Sequence, residues 1–182
     1  MQIDPVIERV FKKVYGKSCW RVSPGWGSFL TFEFGTPHLE NREPILPKGN
    51  ISEKVRRNLA RRHVFIKGDW HLWINCCDWI VLSKRKVVGK STSKSSIQNA
   101  ADLLDGQKLT RFSINPKLNQ CTFDFDLGGV LTTRPYDNHS VQWFFFDSPV
   151  QKVLKFRADG SYSYGRSNVP AGTEEWKAVQ IP

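Results

Sequence analysis

The sequence predicts an α+β protein, mainly antiparallel β, made of two similar helix-plus-β-meander units that reflect an internal duplication. Three observations carry this. First, Ile97, Ala100, Ala101 and Leu104 fall at i, i+3, i+4 and i+7 and are followed by Gly106, and subtracting 90 gives Ile7, Val10, Phe11, Val14 and Gly16. That spacing is the apolar stripe of an amphipathic helix closed by a glycine. Second, Thr122-Phe123-Asp124-Phe125 is echoed at an offset of 91 by Thr31-Phe32-Glu33-Phe34, and each run soon reaches a glycine, Gly128 and Gly35. Third, the chain is rich in aromatic residues, with 7 Trp, 12 Phe and 4 Tyr, and these favour strands and packed interiors.

The expected organisation is a first unit over 1–82 with a cationic insert at about 40–63, a basic Ser-rich linker over 83–95, a second unit over 96–165 and a tail over 166–182. Asp4-Pro5 supplies an N-cap and a proline at N1 for the first helix, which the pattern carries to Gly16. Residues 18–22 read as a strand, 23–27 as a turn, and 29–34 as a strand with Thr31 and Glu33 opposite Phe32 and Phe34.

The halves diverge after Gly35. Thr31 to Trp70 spans 39 residues and Thr122 to Trp143 spans 21, so aligning the two tryptophans assigns about 18 extra residues to the first half. Within them Ser52 is placed to cap a short helix with Val55 and Leu59 turned inward and an arginine-rich outer surface. Residues 68–82 would run about 50 Å as one strand at ~3.3 Å per residue, too long for so small a protein, so two strands broken near 75–78 are expected.

In the second unit, Ser95 or Ser96 caps the helix, and strands follow at 109–114, 121–127, 130–133, 142–146 and 153–158. Asp159-Gly160 predicts a two-residue type I′ hairpin leading to Tyr162 and Tyr164, and a short strand is expected around Trp176.

Composition narrows the function classes. Hydrophobic residues at 40% and charged residues at 24% describe an ordered domain. No apolar run approaches the roughly 20 residues of a membrane helix. Met1-Gln2-Ile3-Asp4-Pro5 lacks the basic and apolar regions of a signal peptide, so a cytoplasmic protein is expected, with Cys19, Cys76, Cys77 and Cys121 reduced. The net charge of +10 points to acidic partners, an acidic protein first and nucleic acid second.

No motif marks an active site. His71, Cys76, Cys77 and Asp78 lack zinc-ligand spacing, and adjacent cysteines on a strand face opposite ways, so neither metal nor cofactor is expected. Asp124 and Asp126 share a strand face that alternates with Phe123 and Phe125, as on a solvated sheet surface. No nucleophile elbow, Walker loop or dinucleotide fingerprint occurs. The candidate binding residues are Arg56, Arg57, Arg61, Arg62 and Lys54 of the insert, with Lys48 and Lys67 nearby, the turn residue Trp26, and His71.

Residues 68–79 (GDWHLWINCCDW), with Leu104-Asp105-Gly106-Gln107-Lys108-Leu109-Thr110 and the run TFDFDLGG at 122–129, resemble a family of short bacterial proteins that carries no assigned activity. Small β-rich bacterial proteins of this size include immunity proteins, which bind one partner and do no chemistry, although many of those are acidic and this chain is basic. The expectation is therefore a non-catalytic binding protein of immunity-like kind. The alternatives are a nucleic-acid-binding module that uses the insert and a small-molecule or catalytic site where the units meet, around His71, Cys77, Asp124 or Asp126.

Overall fold

A computed structural model describes residues 3–47, 49–170 and 172–180. Helix α1 (Pro5–Phe11) precedes strands β1 (Cys19–Pro24), β2 (Leu30–Phe34) and β3 (His38–Arg42). Helix α2 (Glu53–Leu59) leads to β4 (His63–Lys67), β5 (Trp70–Ile74), β6 (Asp78–Ser83) and β7 (Lys86–Lys90). After α3 (Lys94–Leu104) come β8 (Leu109–Asn115), β9 (Gln120–Phe125), β10 (Gly129–Arg134) and β11 (Val141–Asp147). Strands β12 (Lys152–Arg157), β13 (Ser161–Arg166) and β14 (Lys177–Ala178) complete the chain.

The strands form a seven-stranded antiparallel sheet in the order β1-β2-β5-β11-β12-β13-β14 and a five-stranded one in the order β7-β6-β10-β9-β8. Among the described residues, strands β3 and β4 pair only with each other. The α+β, mainly antiparallel class expected from the sequence is what the chain adopts. Alternation on β2, β5, β9 and β11 turns Phe32, Leu72, Phe123, Trp143 and Phe145 into one shared core. Phe11 of α1 joins the two sheets, stacking on Phe112 at 4.1 Å and lying 5.0 Å from Phe145.

Local chemistry explains the helix ends. The Asp4 carboxylate accepts the Val6 N–H at 2.9 Å, one of the orphan donors of the first turn. The helix stops at Phe11, well short of Gly16, although Val14 remains buried. Burial thus continues the apolar stripe through turns in which Lys13 N–H and Val14 N–H donate to carbonyls three residues back, Val10 O and Phe11 O, and Tyr15 N–H also reaches Phe11 O. Gly16 and Gly106 both sit at positive φ, +77° and +84°, where a side chain is strained. The N-cap of α3 is Ser93, before the expected Ser95 or Ser96, and its side chain makes no capping bond.

Around these two glycines the hydrogen bonds come in reciprocal pairs. Gly16 N–H donates to Leu109 O and Gly106 N–H to Cys19 O, both at 2.8 Å; Cys19 N–H donates to Gln107 O and Leu109 N–H to Lys17 O. Between them Ser18 pairs with Lys108 in an isolated bridge. Every partner differs from its counterpart by 90. The ladders repeat as well: Phe32–Leu72–Phe145–Leu154 across one sheet matches Phe123–Leu131–Val81–Gly89 across the other. In each case three strands of one half are continued by strands of the other half.

Four expectations need correction. The ladders place Trp79, not Trp70, in the position of Trp143, so the extra segment of the first half is the whole connection between β2 and β5. Residues 83–95 are not a linker: β7 lies there, joined to β6 by a tight turn in which Lys84 and Arg85 both take positive φ. The β12–β13 connection, expected as a two-residue turn, is a longer loop in which Gly160, at φ +82°, donates to Arg157 O. Helix α2 does not dock: none of its residues is buried, and Val55 is 47% exposed. No helix among the described residues is long and apolar enough to cross a membrane.

Candidate binding face

The connection between β2 and β5 builds an arm. Strands β3 and β4 form a ribbon about 17 Å long at ~3.3 Å per residue, with residues 43–47 and 49–62, α2 among them, beyond its far end. The Arg21 guanidinium braces it by donating to Ile66 O at 2.8 Å. On one ribbon face Leu39, Ile66 and Val64 are exposed, Leu39 to 71%.

Gly68 and Glu33 fix the base of the arm. Gly68 packs so close to β2 that an added Cβ would lie 2.3 Å from Phe34 O. Glu33 is buried, its Oε2 accepting the Gly68 N–H at 2.9 Å and its Oε1 accepting Nδ1–H of His71 at 2.9 Å, with Lys67 Nζ at 3.6 Å. Desolvation pushes this carboxyl up, but His71, the Gly68 amide and Lys67 together hold it below the usual glutamate value. The bond to Glu33 also fixes the ring tautomer: with Nδ1 donating, the neutral imidazole keeps Nε2 as an acceptor.

Beside this anchor a cavity of about 340 Å³ opens, lined by Glu40 and Lys67 of the arm and by His71, Trp73, Phe146 and Ser148. It is one end of a wider face. Across the outer side of the seven-stranded sheet, the ladder Thr31–Trp73–Phe144–Lys155 runs beside Glu33–His71–Phe146–Val153. Trp73 stacks on Phe144 with centroids 5.2 Å apart, Phe144 on Phe146 at 6.0 Å, and Phe29 meets Trp73 edge-on at 5.6 Å. The ammonium of Lys155 lies 5.9 Å from the Phe144 centroid and pairs with Glu174 of the tail at 2.5 Å. The aromatic strip therefore lies between the arm and the tail.

The five-stranded sheet supplies an internal control. By ladder position, Trp73, His71, Phe144 and Phe146 correspond to Thr132, Val130, Ile80 and Leu82. The architecture accepts small and aliphatic side chains at all four positions, so the rings on the other sheet are not a requirement of the fold. Lys155 does have a counterpart, Lys90. What distinguishes the seven-stranded sheet is its aromatic strip and its arm.

The sequence-named candidates divide between these places. His71 lines the cavity. Lys54, Arg57 and Arg61 line a shallow depression on the surface of α2. Arg62 forks onto Glu43 through Nε and Nη2, and Arg57 lies 3.5 Å from Glu53. Lys54, Arg56 and Arg61 form no ion pair among the described residues. Trp26, 89% exposed, lies in the β1–β2 turn and takes no part in the cavity. Lys48 lies outside the described residues.

The cluster of His71, Cys77, Asp124 and Asp126 does not form. His71 is on β5, Asp124 is on β9 in the other sheet, and Asp126 accepts the Lys108 N–H at 2.8 Å. Among the described residues no three His, Cys, Asp or Glu side chains come together as a metal site would require. The four cysteines are free thiols. Burial pushes the Cys19 thiol up to about 12, helped by Asp105, and burial pushes Cys121 to about 12 as well. Burial likewise raises the Cys77 thiol well above its ordinary value. A thiol reagent at neutral pH is therefore expected to titrate Cys76 alone in the folded protein and all four after denaturation. Two or fewer thiols in the denatured, unreduced protein would contradict this assignment.

No family model, curated protein or solved structure gives a significant match to the chain.

Proposed function

We propose that this is a non-catalytic binding protein, and that its ligand is an acidic molecule held on the outer face of the seven-stranded sheet between arm and tail. The carrying observation is the internal control: aromatic rings occupy four ladder positions that the other sheet fills with Thr, Val, Ile and Leu, and the basic arm is inserted on the aromatic side. The net charge of +10 favours an acidic ligand. The reciprocal bonds at an offset of 90 support an origin by duplication, after which one of the two sheets, built from strands of both halves, acquired the binding apparatus. The free thiols are in keeping with a cytoplasmic setting.

An immunity-like role with an acidic protein partner is the second reading, and the exposed Leu39, Val64 and Ile66 on the ribbon favour it, because solvent-facing apolar rows on a projecting ribbon commonly mark protein contacts. Retention of components from a bacterial extract on immobilised protein tests the location of the site. The wild type is expected to hold a salt-elutable acidic component that Trp73→Leu/Phe146→Leu loses and that Ile80→Val/Leu82→Val, on the opposite sheet, keeps. Equal retention by all three proteins would remove the aromatic face from consideration. Nuclease resistance of the retained material would favour the protein-partner reading.

A further inference from the structure

The geometry points to single-stranded nucleic acid as the ligand of this face, an inference that rests on the proposed binding surface and adds its chemistry. A surface recognises a single strand by offering ring faces for unstacked bases beside cations for the phosphates. Both are present here. Trp73, Phe144 and Phe146 form a continuous strip, and Lys67 and Lys155 stand at its two ends.

Spacing argues for a single strand over a duplex. Same-face residues on one strand lie about 6.6 Å apart, at ~3.3 Å per residue. Phe144 and Phe146 accordingly have centroids 6.0 Å apart. Bases in a duplex stack at ~3.4 Å per step and hide their faces from a protein, whereas a single strand splays its bases to meet rings at wider spacing. The strip thus offers one partly exposed aromatic residue for each base laid along it.

Charge is arranged for a chain rather than for a small anion. Lys54, Arg56 and Arg61 carry the cationic surface onto the arm, beyond the cavity, and lack carboxylate partners among the described residues. A strand whose bases lie on the sheet thus finds further phosphate contacts on the arm. Glu174, already paired with Lys155, stands where a phosphate would sit at the other end, so binding there exchanges an internal carboxylate for a ligand phosphate.

The test is a fluorescence titration at low salt with an oligothymidylate of about 15 nucleotides, a duplex of the same length, and poly-L-glutamate of matched charge. The single strand is expected to bind most tightly and to quench tryptophan emission. Trp73→Leu, which keeps an apolar filler but removes the ring, should weaken that binding about ten-fold, and Trp73→Leu with Phe146→Leu about a hundred-fold, given ~1–3 kcal/mol per stacked base. Lys54→Gln/Arg56→Gln/Arg61→Gln should flatten the salt dependence by about 2 units, at ~0.7 per single-strand phosphate. Circular dichroism confirms that each variant is folded. Duplex binding as tight as single-strand binding, or single-strand binding unchanged in the folded ring variants, overturns the inference. Tight binding of poly-L-glutamate without the oligonucleotide overturns it too, while leaving the acidic-ligand reading in place.

Discussion

Replacing Phe11 with alanine is expected to remove about 3–5 kcal/mol of folding stability, the range for truncating a buried aromatic residue. The ring is fully buried, stacks on Phe112 at 4.1 Å and lies 5.0 Å from Phe145, 5.7 Å from Trp143 and 5.9 Å from Phe123. Those neighbours belong to β8 and β9 in one sheet and to β11 in the other. Ladder hydrogen bonds hold both sheets, so the surroundings cannot collapse into the space, and the cavity term stays near its upper range. The residue 90 positions later, Ala101, is also buried. At ~2–4 °C per kcal/mol for a chain of this size, the melting temperature should fall on the order of 10 °C. Trp26→Ala, at an exposed turn, should change stability by no more than about 0.5 kcal/mol. If urea unfolding showed Phe11→Ala within about 1 kcal/mol of the wild type, Phe11 could not be the joint between the sheets.

The features that can be read from sequence are those in which a local period is also a burial pattern. Ile97, Ala100, Ala101 and Leu104 are all buried at helical spacing, and Cys121, Phe123 and Phe125 are buried at strand spacing. The break between β5 and β6 followed from length alone. The sequence shows the arm as a cationic insert but not as a ribbon, because β3 and β4 stand away from the core and burial contrast does not sharpen their alternation. The β6–β7 hairpin was hidden for a different reason: Lys84 and Arg85 take the positive φ values that Asn-Gly would advertise. Residue type alone aligns Trp70 with Trp143, whereas ladder position aligns Trp79 with Trp143. His71 and the arm arginines were legible as candidates. Phe144, Phe146 and Trp73 were legible as strand residues only, since alternation separates two faces without revealing which one remains open. Glu33 read as a solvent-facing partner of Thr31, because its three stabilising groups lie at Lys67, Gly68 and His71, more than thirty residues downstream.

Removing that carboxylate is the second large effect. Glu33→Ala leaves the Gly68 N–H and the His71 Nδ1–H without their acceptor in a buried setting, and each orphaned donor costs about 1–3 kcal/mol. A loss of roughly 2–6 kcal/mol is expected, concentrated at the junction of β4 and β5. The sign of the pH dependence follows from the lowered value of the folded carboxyl. Unfolded Glu33 binds a proton more readily than the folded side chain does, so its contribution is fully present above the ordinary glutamate range and is lost as the pH falls through the folded value. Glu33→Gln, which keeps a carbonyl acceptor but no charge, should reduce stability near neutrality and remove this component of the acid dependence. Urea titrations of wild type and both variants from neutrality into the acid range measure it, and amide exchange over residues 38–67 reports whether the arm loosens with the loss. The ligand face should suffer as well, since the His71 ring and the Gly68 backbone both line its cavity. Should Glu33→Ala stay within about 0.5 kcal/mol of the wild type, with unchanged exchange in the arm, Glu33 would not be the anchor that joins arm to sheet.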